Sequence, residues 1–259
     1  MNLLVFTKRV PATQEEELRI VDEGRAVDLS KMPFKLNDWD NYAVEEAVRI
    51  AEKTGGAVTA ISLGDSEADE VLRRAIAMGA KDGFLIEADR VLHDPSARAE
   101  LIRTFLTREA VAYDAIFTGV QSEDDQFAAV GGILAAKLGL PYASMVIAID
   151  SLEGGQVTCR RELEGGGQER IRVALPCVLS LQSGINEPRY VSIMGVRKAS
   201  KVERRRFRAA DYGDLGEGMI EVSEWAYPPK KGGATMLSGE LEASCKELLA
   251  ILKEKGVYQ

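Results

Sequence analysis

Histidine is almost absent from this 259-residue chain, His93 being its one example. A zinc centre or a Ser/His/Asp triad cannot rest on that residue alone, so His93, beside Asp94 and Pro95, reads as a loop residue. Cysteine is scarce too. Cys159, Cys177 and Cys245 lack metal-ligand spacing, and an odd count argues against a disulfide framework, so reduced core residues of a cytoplasmic protein are expected. No apolar run of about 18 residues occurs, nor a positive start followed by an apolar stretch, so neither a membrane span nor a signal peptide is expected. A basic excess is missing as well: 33 Lys and Arg face 41 Asp and Glu, for a net charge of −8. Reading a nucleic-acid backbone requires a basic face that releases counterions, so no nucleic-acid partner is expected. Only the segment around Arg197 to Arg208, "VRKASKVERRRFR", is basic, and it reads as a solvated or partner-facing arm. Two phosphate fingerprints are also lacking. No G-x-x-x-x-G-K-[ST] occurs, and no G-x-G-x-x-G follows the first strand.

What is present is regular alternation. "MNLLVFTKRV" has the composition of a buried parallel strand, and "DEG" marks a turn between two short extended pieces after an acidic stretch. In "LNDWDNYAVEEAVRIAEKTGG" the residues Ala43, Val44, Ala47, Val48 and Ala51 share a helical face that Gly55 and Gly56 terminate. The strand "AVTAISLG" leads to a helix capped by Asp65 or Ser66 and stopped by Gly79. Strand "DGFLIEAD", helix "PSARAELIRTFLTREAV", strand "YDAIFTGV" and helix "FAAVGGILAAKLGL" follow. This order predicts an α/β fold with a doubly wound, mostly parallel sheet. From residue 141 extended segments joined by Gly-rich turns predict an antiparallel extension. A nucleotide-binding α/β domain is therefore expected over residues 1–196. Residues 197–259 are expected as a C-terminal arm ending in the amphipathic helix "GELEASCKELLAILKEKG", of the kind that grips another subunit.

Ligands of such sheets sit beyond the carboxyl ends of the strands. Of the loops found there, "GVQSEDDQFAAVGG" is the most informative, because helix-start N–H groups near Phe127 to Val130 carry the positive end of a dipole. Ala128, Ala129 and Gly131 are small enough for backbone to approach a phosphate. Glu123, Asp124 and Asp125 would repel one unless they cap the helix or accept a ribose hydroxyl, and Asp40 raises the same choice.

"NEPRYVSIMGVRKASK", from Asn186 to Lys201, resembles the signature of the electron transfer flavoprotein beta subunit family; "KRV", "YAVEEAVR", "RRAIAMGAKDG" and "GVQSEDD" resemble family segments in the same order. The resemblance implies a flavodoxin-like or adenine nucleotide alpha hydrolase-like fold in a heterodimer with an alpha subunit. An FAD is shared with that subunit, and the beta chain binds AMP or a second FAD. It further implies an electron carrier rather than a stand-alone enzyme, taking electrons from an acyl-CoA-type dehydrogenase to a membrane quinone oxidoreductase. Family position places Phe6, Asn37, Trp39, Asp40, Leu63, Gln121, Asp124, Asp125, Phe127, Ala128, Ala129 and Val130 around the cofactors. It also assigns Ile193 to an apolar anchor for the dehydrogenase and Glu162 to a contact with the alpha subunit.

The departures from the family pattern bear on the second nucleotide. Asp38 replaces the proline of "NPF" or "NPY", while Asp40 matches the aspartate of the electron-bifurcating form and favours FAD there. Ala128, Ala129 and Val130 stand where the housekeeping loop keeps an asparagine, a glutamine and a threonine, and the glycine, second aspartate, threonine and glutamine of the bifurcating loop are replaced too, leaving backbone N–H groups to hold the anion, with each missing bond weakening it by about 1 kcal/mol. Two alternatives stand beside the carrier: a bifurcating subunit whose own FAD oxidises NADH, and a universal-stress-type nucleotide-binding module.

Overall fold

The computed structural model describes residues 1–14, 18–213, 219–229 and 232–257, so the acidic stretch at 15–17 lies outside the described residues. The chain divides into two compact units, Met1–Trp225 and Ala226–Gln259. In the first, β1 (Asn2–Thr7) and β2 (Arg9–Pro11) precede the hairpin of β3 (Arg19–Val21) and β4 (Ala26–Asp28). Then come β5 (Phe34–Leu36), α1 (Asp38–Thr54), β6 (Ala57–Gly64), α2 (Asp69–Met78), β7 (Asp82–Glu87), α3 (Pro95–Arg108), β8 (Ala115–Gly119) and α4 (Val130–Leu138). The extension follows as β9 (Tyr142–Glu153), β10 (Gln156–Glu162), β11 (Gln168–Ala174) and β12 (Cys177–Leu181), before α5 (Ile193–Ala199) and β13 (Arg205–Arg208). The second unit contains α6 (Leu241–Glu254), whose Leu241, Leu248 and Leu249 are exposed.

One sheet runs β11-β10-β9-β12-β8-β1-β6-β7-β13. The pairings along the sheet from β9 to β13 are parallel, and β10 pairs antiparallel with both β9 and β11, which is the expected doubly wound sheet with its extension. Alternation along the buried strands separates two cores. Leu3 and Val5 of β1 face the side holding Ala43, Val44 and Val48 of α1 and Leu72 of α2, whereas Leu4 faces Ile102 and Phe105 of α3 and Leu134 of α4. The helices end as the sequence predicts, with Gly55 left-handed at φ 68°, and Asp65 accepts a hydrogen bond from the Ala68 N–H at 3.1 Å.

Residues 197–213 differ from the expected arm. β13 joins the sheet beside β7, so the sheet continues past residue 196. Phe207 explains why: it lies in an edge-to-face cluster with Phe84, Phe105 and Tyr212. The arginines around it are also used, Arg205 lying 4.0 Å over the Phe84 ring and Arg204 bonding Asp69 at 2.7 Å. Cys159 and Cys177 are buried as expected, but Cys245 on α6 is exposed. No helix among the described residues is long and apolar enough to cross a membrane.

Candidate functional site

The chain leaves β1 for β6 on one side and reaches β8 on the other, so the carboxyl ends of β1 and β8 form the switch point where ligands of this architecture bind. The start of α1 closes that point. Asn37 is the residue before the helix, yet its side chain caps nothing. Its amide faces the loop after β8, donating to the Gln121 carbonyl at 2.9 Å and accepting from the Glu123 N–H at 3.1 Å. Trp39 donates its indole N–H to Gln182 Oε1 at 2.8 Å, and Gln182 donates in turn to Glu162 at 3.4 Å. Glu162 and Trp39 are thus joined through a residue at the end of β12.

Asp40 is only 6% exposed and sits inside α1, so it is not the helix cap that the sequence allowed. Its two oxygens accept the Lys8 N–H at 2.8 Å and the Gly119 N–H at 3.1 Å, tying the ends of β1 and β8 together. Burial pushes its carboxyl up to about 7, against the opposing pull of those N–H groups and the Lys8 charge. With one backbone N–H on each oxygen, Asp40 braces the sheet edge.

The loop acids carry internal partners as well. Lys8, the first residue beyond β1, places its ammonium 3.2 Å from Ser122 Oγ, 2.7 Å from Asp124 and 2.9 Å from Asp125. Arg98 of α3 reaches Asp125 from the other side at 2.6 Å, and its remaining nitrogens donate to the carbonyls of Leu92 and His93. Burial alone would raise Asp125, but the charges of Lys8 and Arg98 prevail and hold its carboxyl far below the ordinary range. Asp125 also accepts from Ser122 Oγ at 2.8 Å and from the Phe127 N–H at 3.2 Å. Glu123 is pushed up by burial and by neighbouring Asp38, although Lys35 bridges the two acids at 3.1 and 3.0 Å.

Neither Asp124 nor Asp125 caps α4. The helix starts at Val130, later than the sequence suggested, and no side chain caps it. Phe127, Ala128 and Ala129 belong to the loop, where Gln126 and Ala128 adopt left-handed φ values of 53° and 52° that favour glycine. Phe127 and Ala128 are exposed, and Ala129 and Val130 are half-buried. Phe6 and Leu63, near the ends of β1 and β6, are half-buried against the α3 and α4 core. The structure therefore brings Asn37, Asp40, Gln121, Asp124, Asp125 and the α4 start to one sheet edge. Ile193 stands apart on α5, 74% exposed.

Sequence reasoning missed Arg98, Ser122 and Gln182, and met Lys8 only as part of the "KRV" segment. Lys8 and Gln182 had a signal, since each directly follows a strand at the ligand edge. Arg98 had none, because only the packing of α3 beside α4 brings it to a loop 27 residues away.

Gly131 seats α4 on this edge. A Cβ there would press into Ser180 Oγ and lie 2.9 Å from Thr118 Oγ1, two buried hydroxyls 2.8 Å apart that Tyr142 also joins. We predict that Gly131→Ala costs about 1–3 kcal/mol despite alanine's better helix propensity. Urea unfolding checks this, and an unchanged midpoint would contradict such close seating.

A family model described as "Electron transfer flavoprotein domain" matches residues 26–212. Among curated proteins, the chain is similar to the electron transfer flavoprotein subunit beta of Methylophilus methylotrophus, at 33% identity over 98% of each chain. That of Thermoanaerobacterium thermosaccharolyticum is 36% identical over 99% of this chain and 100% of its own. The Mus musculus protein of the same name is 30% identical, over 99% and 98%.

Proposed function

The chain belongs to the electron transfer flavoprotein beta subunit family, and on that premise we propose that it is the small subunit of a cytoplasmic electron-carrying heterodimer. An alpha subunit is its partner, with which it shares an FAD. Acyl-CoA-type dehydrogenases supply electrons, and a membrane quinone oxidoreductase receives them. When bound, the shared flavin supplies the redox chemistry; this chain supplies a wall, a docking surface and a second nucleotide site. Trp39, held by Gln182, and Glu162 are its proposed contributions toward the flavin and the alpha subunit.

For the second nucleotide we propose AMP. The observation that carries this reading is the uncapped start of α4 at the switch point, preceded by a loop with two left-handed residues and flanked by the Lys8 ammonium. Unpaired helix-start N–H groups beside a cation suit a phosphate. Asn37 and Gln121 shape the loop, while Phe6, Leu63, Phe127, Ala128, Ala129 and Val130 provide the surrounding surface. Asp40 favoured a bifurcating FAD in the sequence; its bonds from the Lys8 and Gly119 N–H groups favour a bracing role instead. The universal-stress alternative gives way to the family match across nearly the whole chain.

Co-expression with the alpha subunit, denaturation of the purified complex and chromatography of what is released test the reading. One FAD and one AMP per heterodimer are expected. Two FAD would replace the carrier by a bifurcating subunit, and FAD without AMP would remove the second site.

A further inference from the structure

The two aspartates of the β8–α4 loop are held very differently. Asp125, its side chain 16% exposed, is fixed by Lys8, Arg98, Ser122 and the Phe127 N–H. Asp124 is 31% exposed and meets the Lys8 ammonium with both carboxylate oxygens at 2.7 Å, its one side-chain partner among the described residues. Lys8 itself is 27% exposed, so solvent reaches this pair. An ion pair of that kind contributes little net stability and exchanges readily for another anion.

Resting on the reading of this edge as a nucleotide site, we propose that Asp124 is an internal stand-in for the ligand's phosphate. It occupies the Lys8 ammonium when the site is empty and yields it when a phosphate arrives. The exchange is orderly because Asp125 and Arg98 keep the loop in place while Asp124 leaves. Binding thus trades one charge-assisted bond for another, so Lys8 adds less to affinity than a free lysine would. The retained carboxylate also repels the incoming anion. Asp124 is in this sense a specificity-determining residue: it lowers affinity for any phosphate-bearing ligand without touching the recognition of a base or sugar.

The test uses the full chain in complex with its alpha subunit, freed of bound nucleotide and titrated calorimetrically with AMP and with adenosine. Asp124→Asn keeps size and shape while removing the charge, and is expected to tighten AMP about fivefold. Adenosine affinity is expected to stay the same, and Asp124→Ala to behave like Asp124→Asn. Lys8→Met is expected to weaken AMP at least tenfold and to shrink the gain from Asp124→Asn to the part that relief of repulsion leaves. AMP affinity unchanged or lowered in both Asp124 variants, with wild type binding normally, would overturn the stand-in and leave the nucleotide site intact. Equal tightening of AMP and adenosine would also overturn it, since a looser loop rather than a charge exchange would then be responsible. Failure of wild type and variants alike to bind AMP would overturn the site itself.

Discussion

Replacing Glu45 with alanine is expected to cost about 3–5 kcal/mol of folding stability, because it strips a nearly buried anion from two arginines. Glu45 lies on α1 and is 2% exposed. Arg189 bonds it through Nε at 2.8 Å, Nη2 at 3.3 Å and its backbone N–H at 3.1 Å, and Arg49 adds a bond at 2.7 Å. Arg189 extends to Glu52 at 2.8 Å, while neighbouring Asn186 donates to the Tyr42 carbonyl and to Glu46, each at 3.0 Å. The family signature is thus clamped along one helix. Arg189→Met should cost less, about 2–3 kcal/mol, since Arg189 is partly exposed and Arg49 still answers the carboxylate. The double variant Glu45→Met with Arg189→Met should recover much of the loss, as apolar replacement of both partners often does.

The same clamp fixes a pH dependence. Burial by itself would raise Glu45, yet its bonds to Arg189 and Arg49 hold the folded carboxyl below its ordinary value of 4.5. The folded state therefore takes up this proton less readily than the unfolded chain. Its stabilisation is complete above about pH 4.5 and disappears as pH falls through the lower folded value. Urea unfolding between pH 3 and 7 should show a fall at the acid end that shrinks in the double variant. An Arg189→Met protein with wild-type midpoint and acid profile would sink this account.

How much of this was legible beforehand follows from range. α1, α2 and α3 declare themselves through apolar residues at helical spacing and through Gly55, Gly79 and the Asp94–Pro95 start, all of which are local. β13 did not, because its one apolar residue sits among arginines, and only the remote Phe84, Phe105 and Tyr212 make Phe207 a core residue. The candidate site divides in the same way. The strand-end position of the loop after β8 and its small residues were legible. The use of its acids was not, since Lys8 comes from β1 and Arg98 from α3. Asp40 misled for a related reason: an acid near a helix start reads as a cap, and its two N–H donors lie just after β1 and at the end of β8, 32 and 79 residues away.

What the clamp holds in place is the surface carrying the last prediction. After Arg189 the chain presents Tyr190 at 90%, Ile193 at 74% and Met194 at 61% exposure. α5 is nonetheless ordered beneath them: Ser192 accepts from the Gly195 N–H at 3.1 Å, Ala199 is buried, and the helix packs on α2. A rigidly held apolar side chain standing clear of its own protein loses little entropy on binding and removes its full surface from water, which describes a docking anchor. Ile193→Asp is therefore expected to weaken docking to the proposed dehydrogenase partner by about 2–3 kcal/mol, or roughly 30- to 150-fold. The loss should fall on kcat/KM for electron transfer from dehydrogenase to the heterodimer, with the rate at saturation nearly kept, because the substitution removes binding rather than flavin chemistry. Ile193→Leu should retain most of the activity. Folding stability should move by less than about 0.5 kcal/mol, since no buried contact is lost. Arg189→Met should also raise KM, though less steeply, by loosening the base from which the anchor projects. An Ile193→Asp heterodimer with an unchanged KM would assign docking to another surface, even if every other expectation held.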